Sequence, residues 1–186
     1  MNRKIILLIV LLAYPLSGVA LTISPLPYGI DIFFPNDAVM QKIKDAGIAW
    51  IQMGFDWSYI EPQKNKFNFS EADRIINFAD KNGLSILAKI AYTPGWANKN
   101  KGKNYPADSV ANWKAFVQTI VNRYKNRVKY WAIWNEPNLK LFFAQGKDIY
   151  LQQVLLPAAQ TIRASDPAAF IVGPELSHKT EAGSEW

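Results

Sequence analysis

The sequence Trp134-Asn135-Glu136-Pro137-Asn138 directly follows an apolar run from Val128 to Ile133. The run predicts a buried strand, and Pro137 predicts its end because proline has no N–H to donate to a neighbouring strand. Proline also biases the preceding residue away from the helical region, so Glu136 is predicted to be extended. A carboxylate at the end of a strand is where a barrel enzyme keeps its catalytic groups.

Short apolar runs alternate with segments of helical period along the whole chain, which predicts βαβ units and a parallel sheet with right-handed crossovers. The predicted strands are Tyr28–Phe34, Ile48–Met53, Leu84–Ala91, Val128–Trp134 and Ala169–Gly173. The predicted helices are Asn36–Ala46, Ser70–Gly83, about Asp108–Asn126 and about Asp148–Ser165. Gly47 and Gly83 stand where left-handed helix caps are expected.

A doubly wound sheet would begin with the same alternation of strands and helices. However, neither a G-x-G-x-x-G nor a phosphate-binding loop motif follows the first strand, and the long polar and aromatic loops all follow strands. We therefore predict an α/β fold of the (β/α)8 TIM barrel type. An eight-unit barrel needs about 250 residues, so a chain of 186 residues is expected to be incomplete, with about strands 1 to 5 of 8 present.

Residues 1–20 are predicted to be a signal peptide, because Arg3 and Lys4 precede the apolar run Ile5–Leu12 and Gly18-Val19-Ala20 offers a cleavage site. A membrane anchor is the alternative, but the run is shorter than the ~20 residues that span a bilayer. Residues 21–186 would then be a single secreted or periplasmic domain with no membrane segment after cleavage.

Composition excludes several classes of protein. The chain has no cysteine, which excludes a disulfide framework and thiolate metal sites. Loss of Arg3 and Lys4 would leave 19 basic against 15 acidic residues, too mild a charge to indicate a nucleic-acid partner. The single histidine, His178, makes a poor metal site by itself, and no cofactor is predicted. The basic loop 98–104 is interpreted as solvated, with attraction to an acidic polymer as the alternative.

Glu136 has three acidic companions at strand ends or in the loops that follow them, namely Asp31, Glu61 and Glu175. Hydrolysis of a glycosidic bond needs two carboxylates, which makes this pattern suggestive. Aromatic side chains in the same loops suit the apolar faces of sugar rings, with ordinary loop packing as the alternative for each ring taken singly. These aromatic residues are Trp57, Tyr59, Tyr92, Trp96, and Phe142 or Phe143.

Three stretches resemble the first part of a retaining glycoside hydrolase of the clan A (β/α)8 type, closest to family 39 and family 5-like enzymes. They are Asp56–Pro62 leading to Phe67–Ser70, then Ala91–Ala97, then Trp134–Asn138. The resemblance implies that Glu136 is the general acid/base and that Asn135 hydrogen-bonds the sugar 2-hydroxyl. It further implies that a set of aromatic residues lines the sugar subsites: Trp57, Tyr92, Trp96 and Trp134.

The chain also departs from these relatives. Gln52 stands where they typically carry arginine, and Gly54 where an aspartate often follows. Their nucleophile lies after strand seven, and Glu185 is a poor substitute because two further strand-helix units of ~30 residues each would have to precede it.

We therefore expect a secreted retaining glycosidase acting on a β-linked poly- or oligosaccharide. The 186-residue chain by itself is expected to be weakly active or inactive. The alternatives are a non-catalytic carbohydrate-binding or assembly fragment, which could self-associate through the open barrel edge, and a non-functional remnant.

Overall fold

The computed structural model describes residues 28–179, so the predicted signal peptide and Glu185 lie outside the described residues. Five parallel strands form one sheet in the order β1-β2-β3-β4-β5. They are β1 (Gly29–Ile32), β2 (Trp50–Asp56), β3 (Ser85–Ala91), β4 (Tyr130–Ile133) and β5 (Phe170–Val172). Each predicted strand is confirmed, with ends that shift by at most three residues. Consecutive parallel neighbours form part of a barrel wall, as predicted.

Helices connect the strands at the predicted places. In chain order they are α1 (Asp37–Asp45), α2 (Trp57–Ile60), α3 (Ser70–Asn82), α4 (Gly95–Asn98), α5 (Val110–Tyr124), α6 (Lys147–Ile149), a π-helical segment (Tyr150–Leu155) and α7 (Leu156–Ser165). The short helices α2 and α4 lie in loops for which no helix was predicted. Gly47 and Gly83 have φ angles of 73° and 69°, which confirms the predicted left-handed caps.

The predicted fourth helix is divided into α6, the π-helical segment and α7. Pro157 explains the division, because it has no N–H for the preceding turn and its ring crowds the backbone there. Two side chains hold the widened turn in place. The Trp113 indole donates to the Val154 carbonyl at 3.0 Å, and the Tyr150 hydroxyl donates to the Ile133 carbonyl at 2.6 Å. The second bond ties this helical region to the end of β4.

The two faces of the sheet differ. Alternate residues of β2 and β3, such as Ile51 and Ile90, are buried beneath the helices, and α5 contributes a buried apolar stripe of Trp113, Phe116, Val117, Ile120, Val121 and Tyr124. The opposite face, here called the inner face, carries Asp31, Gln52 and Lys89 together with the residues in register with them. In a closed barrel this face is the interior.

The inner face leaves apolar side chains open to solvent in the described part of the chain. Phe170 and Val172 of β5 are 59% and 37% exposed. The Trp50 and Tyr130 rings lie 4.8 Å apart, and the Tyr130 and Phe170 rings stack at 5.3 Å. Within residues 28–179, no helix is both long and apolar enough to span a membrane.

Candidate active site

The chain turns sharply where β4 ends. Trp134 and Glu136 have φ angles of 72° and 37°, so the prediction that Glu136 is extended is wrong. Asn135 between them forms a parallel bridge with Glu175 after β5, and the Leu139 N–H donates to the Glu136 carbonyl at 2.9 Å. Left-handed backbone costs a residue with a side chain on the order of 1–3 kcal/mol, and such positions cluster at functional sites.

Lys89 is the centre of a polar network on the inner face. Its side chain is 12% exposed, and its Nζ lies 3.2 Å from Glu175 Oε2 and 3.9 Å from Asp31 Oδ2. The same Nζ donates to Asn135 Oδ1 at 2.8 Å. We call Asp31, Gln52, Lys89, Asn135 and Glu175 the Lys89 network. Sequence reasoning missed Lys89, although a lysine inside the apolar run Leu84–Ala91 was a signal that could have found it.

Glu175 closes this network from β5. Gln52 Nε2 donates to Glu175 Oε2 at 3.2 Å, so the glutamine provides a neutral donor. Burial raises the pKa of the Glu175 carboxyl above its ordinary value, and the nearby Lys89 ammonium works in the opposite direction. Glu175 Oε1 is buried without a hydrogen-bond partner among the described residues. The fixed charge beside this carboxylate therefore comes from Lys89 of β3.

A cleft of about 310 Å³ lies beside the Lys89 network at the carboxyl ends of the first strands. Its lining includes Asp31, Lys89, Asn135 and Tyr92, with Phe34, Gly54, Asp56 and Tyr59 from the loops and strands on the β1–β2 side. The Phe34 and Tyr59 rings lie 5.1 Å apart. A Cβ atom at Gly54 would meet no atom within 4 Å, so this glycine leaves open space. An aromatic wall facing polar groups is typical of a carbohydrate cleft.

Tyr92 joins the cleft to Glu136. Burial, and then the nearby Asp56 carboxylate, raises the pKa of Tyr92 to about 12, and a hydrogen bond with the Asn135 side chain acts in the opposite direction. The Glu136 carboxylate contributes to raising the pKa of Tyr92 in the same direction. Lys103 Nζ lies 4.7 Å from the centre of the Tyr92 ring. Tyr92 and Trp96 are half-buried, so both keep surface that a ligand could touch.

The structure contradicts the predicted sugar contacts of Trp57 and Trp134, because both side chains are 0% exposed. Trp57 stacks on Phe116 at 5.1 Å and donates from Nε1 to Glu61 Oε2 at 2.7 Å. Trp134 donates from Nε1 to the Phe142 carbonyl at 2.8 Å. The prediction that these two rings line a subsite is therefore wrong. Glu61 is also buried and serves to hold Trp57.

A parallel βα wall with Asn135 and Glu136 after β4, beside an aromatic cleft, is the arrangement of the (β/α)8 glycoside hydrolases. Residues 50–153, more than half of the chain, match the sequence model of glycosyl hydrolase family 10. The chain belongs to this family. The predicted resemblance to clan A glycoside hydrolases is thereby confirmed, although motif reading had not singled out family 10.

Curated relatives agree with this assignment. A β-1,4-xylanase of Dictyoglomus thermophilum is 31% identical over 121 residues, which cover 61% of this chain and 34% of the relative. A chloroplastic β-glucosidase-like protein, SFR2, of Oryza sativa is 31% identical over 114 residues, 55% of this chain and 18% of the relative. The chain thus spans about a fifth to a third of the length of these relatives.

Solved structures show the same fold. A family 39 glycoside hydrolase from Bacteroides cellulosilyticus WH2 superposes with a TM-score of 0.61 at 22% sequence identity. The superposition covers 80% of this chain and 31% of that enzyme. This agreement confirms the predicted fold class, a TIM barrel of which the described residues form one part.

Proposed function

We propose that the chain forms the part of a retaining glycoside hydrolase that carries the general acid/base, Glu136, and that the substrate is a β-linked poly- or oligosaccharide. One observation carries the proposal. Asn135 and Glu136 follow β4 at a strained turn, next to an aromatic cleft, with the Asn135 amide held by Lys89 at 2.8 Å. A carboxyl group in such a place can exchange protons with a bound glycoside.

The chemistry follows from the proposed role. Protonated Glu136 gives its proton to the glycosidic oxygen as the bond to the leaving sugar breaks. The same carboxylate then removes a proton from the water that releases the covalent glycosyl intermediate. Asn135 donates to the 2-hydroxyl of the sugar, a contact that strengthens in the transition state. Tyr92 and Trp96 provide the ring surfaces that hold neighbouring sugars.

A β-1,4-linked xylan is the proposed substrate class, supported by the family match and by the xylanase among the relatives. Export to the periplasm or the medium is part of the same proposal, supported by the basic start and apolar run of residues 1–20. A polymer substrate is too large to enter most cells, which makes an exported enzyme the consistent reading.

A retaining glycosidase needs a second carboxylate, the nucleophile, in addition to the general acid/base. This need limits what the 186 residues can do alone. The resemblance places the nucleophile after a seventh strand, whereas the described strands number five. We propose that the chain as given hydrolyses little or no xylan, and that catalysis needs further strands. Sequencing the coding DNA beyond the codon for Trp186 is the first test. About 100 further residues of βαβ patterning with a glutamate after strand seven would support this proposal.

The extended protein would then test Glu136. Glu136→Ala should release p-nitrophenol from p-nitrophenyl β-xylobioside in a burst and then stall, because a good leaving group needs no proton while the second step needs the base. Azide should restore turnover and yield a glycosyl azide. Asp148→Asn, an exposed change on α6, is the matched control. Unchanged xylan turnover by Glu136→Ala would overturn the assignment.

One observation favours a second candidate function for the 186-residue chain, namely assembly with another chain. Phe170 and Val172 on the inner face are exposed, and β5 is an open edge among the described strands. Exposed apolar edge strands favour pairing with another chain. Sedimentation of the purified chain should show association that Phe170→Lys weakens. A monodisperse monomer at micromolar concentration would count against this candidate.

A further inference from the structure

We infer that Lys89 is a positioning residue, which fixes the Asn135 amide so that its N–H donors face the cleft. The inference rests on the proposed function, because it assigns the cause of the orientation that Asn135 needs in order to bind a sugar hydroxyl. Nothing in the resemblance assigns a role to a lysine on β3.

The argument begins with the chemistry of the two groups. An ammonium has three donors and no acceptor, whereas an amide has one oxygen and one NH2 group. Lys89 Nζ can therefore bond only to Asn135 Oδ1, at 2.8 Å. A flipped amide would set its NH2 group against the ammonium and lose a charge-assisted hydrogen bond. The unflipped amide directs Nδ2 away from Lys89.

The surroundings of the amide indicate where Nδ2 lies. Asn135 and Tyr92 line the same cleft. Because the amide oxygen is bonded to Lys89, the amide nitrogen is left to donate to groups in this cleft. A sugar hydroxyl placed there would accept from Nδ2.

Lys89 is itself held firmly. Glu175 and Asp31 lie on either side of its Nζ at 3.2 and 3.9 Å, and the lysine side chain is 12% exposed. Of the residues in the five described strands, Lys89 alone carries a positive charge. A buried charge with several partners has few alternative positions, so it can define the orientation of a neighbouring amide.

Lys89 could instead serve only to neutralise Glu175, so the test must separate the two roles. Lys89→Met leaves the Glu175 carboxylate without its cation, and this variant by itself risks misfolding. The double variant Lys89→Met/Glu175→Gln removes both charges. If Lys89 only compensates Glu175, this double variant should behave as the wild type does. If Lys89 positions Asn135, the amide loses its fixed orientation in both variants.

Side-chain amide NMR of the 186-residue chain is the first measurement. Assigned through Asn135→Asp, the Asn135 side-chain NH2 group should have a 15N order parameter near about 0.8 in the wild type and below about 0.6 in the Lys89→Met/Glu175→Gln variant, because the amide then rotates freely. Glu175→Gln alone should have the wild-type order parameter. Equal order parameters in the wild type and the double variant would overturn the inference.

Xylotriose affinity, measured by calorimetry on the same proteins, is the second readout. The double variant should bind about 10-fold more weakly, a loss of about 1.4 kcal/mol, because the amide that donates to the sugar is no longer held in one orientation. Adding Asn135→Ala should cause no further loss, since the two residues act as one unit. Additive losses would overturn the inference. If the wild-type chain does not bind xylotriose while its Asn135 amide is rigid, the proposed xylan substrate loses its support and the positioning role stands.

Discussion

Replacing Trp57 by phenylalanine should destabilise the protein without changing its sugar binding. Sequence motifs place Trp57 in a subsite, whereas the structure places it in the core, 0% exposed and stacked on Phe116. Phenylalanine keeps a ring in the stack but removes the indole N–H. The buried Glu61 then loses the donor that lies 2.7 Å from its Oε2, while its Oε1 still accepts from the Asn65 N–H.

The magnitude follows from these contacts. Loss of a hydrogen bond to a charged group costs roughly 1.5–3 kcal/mol. The smaller ring buries about 40 Å² less apolar surface, worth about 1 kcal/mol. Together these effects lower the free energy of unfolding by about 2.5–4 kcal/mol, a large share of a typical 5–15 kcal/mol. For a chain of this size the Tm should fall by about 5–15 °C.

Thermal and urea unfolding followed by circular dichroism would measure this loss, and calorimetry with xylotriose would measure binding on the same preparation. Tyr59→Phe is the matched control, because Tyr59 lines the cleft and is 44% exposed. It should leave the free energy of unfolding within about 0.5 kcal/mol. The reasoning is refuted if Trp57→Phe costs under about 1 kcal/mol yet weakens xylotriose binding.

Three further predictions concern stability. Gly54→Ala should raise the Tm by about 1–4 °C, because open space surrounds the position and alanine restricts the unfolded chain; a lower Tm would contradict this. Hydrogen bonding from Arg123 lowers the pKa of Asp73, so its stabilising contribution is present at neutral pH and lost as pH falls through that lowered pKa; Asp73→Asn should cost about 0.5–1 kcal/mol at pH 7 in urea unfolding and less as the solution is acidified. The pKa of Tyr92 is raised to about 12, so between pH 10 and pH 12 the phenol ionises in the unfolded chain before it ionises in the folded one. The contribution of Tyr92 to the free energy of unfolding is therefore full below pH 10 and is lost over that interval, and Tyr92→Phe should make the decline shallower in urea unfolding.

The sheet could be predicted because buried parallel strands appear as continuous apolar runs, and the helices between them end at Gly47 and Gly83 with the expected geometry. The interruption of the fourth helix was missed, although Pro157 lay inside the predicted segment. A proline at that point removes a donor from the turn before it, and the π-helical segment accommodates the change.

The candidate site was predicted less well than the fold. Motifs located Asn135 and Glu136, but they could not distinguish an aromatic side chain that faces a cleft from one that faces the core. Trp57 and Trp96 lie in neighbouring loops with rings 5.6 Å apart, and only Trp96 retains exposed surface. The difference depends on how α2 packs on α5, which is tertiary information. Glu136 departs from the extended backbone favoured before proline because the bridge and turn around it determine its conformation.

The inner face carries one polar arrangement formed by Gln52, Gly54 and Lys89. The sequence departs from the relatives it resembles at both positions, since Gln52 stands in place of an arginine and Gly54 in place of an aspartate. In the sheet, Gly54 is in register with Lys89, and a carboxylate at 54 would compete for the lysine ammonium. With glycine there, Lys89 reaches Asn135 and Glu175 instead, and Gln52 shares Glu175 as a neutral donor. The positive charge of the site is thus on β3 rather than β2, and it acts on the residue next to Glu136.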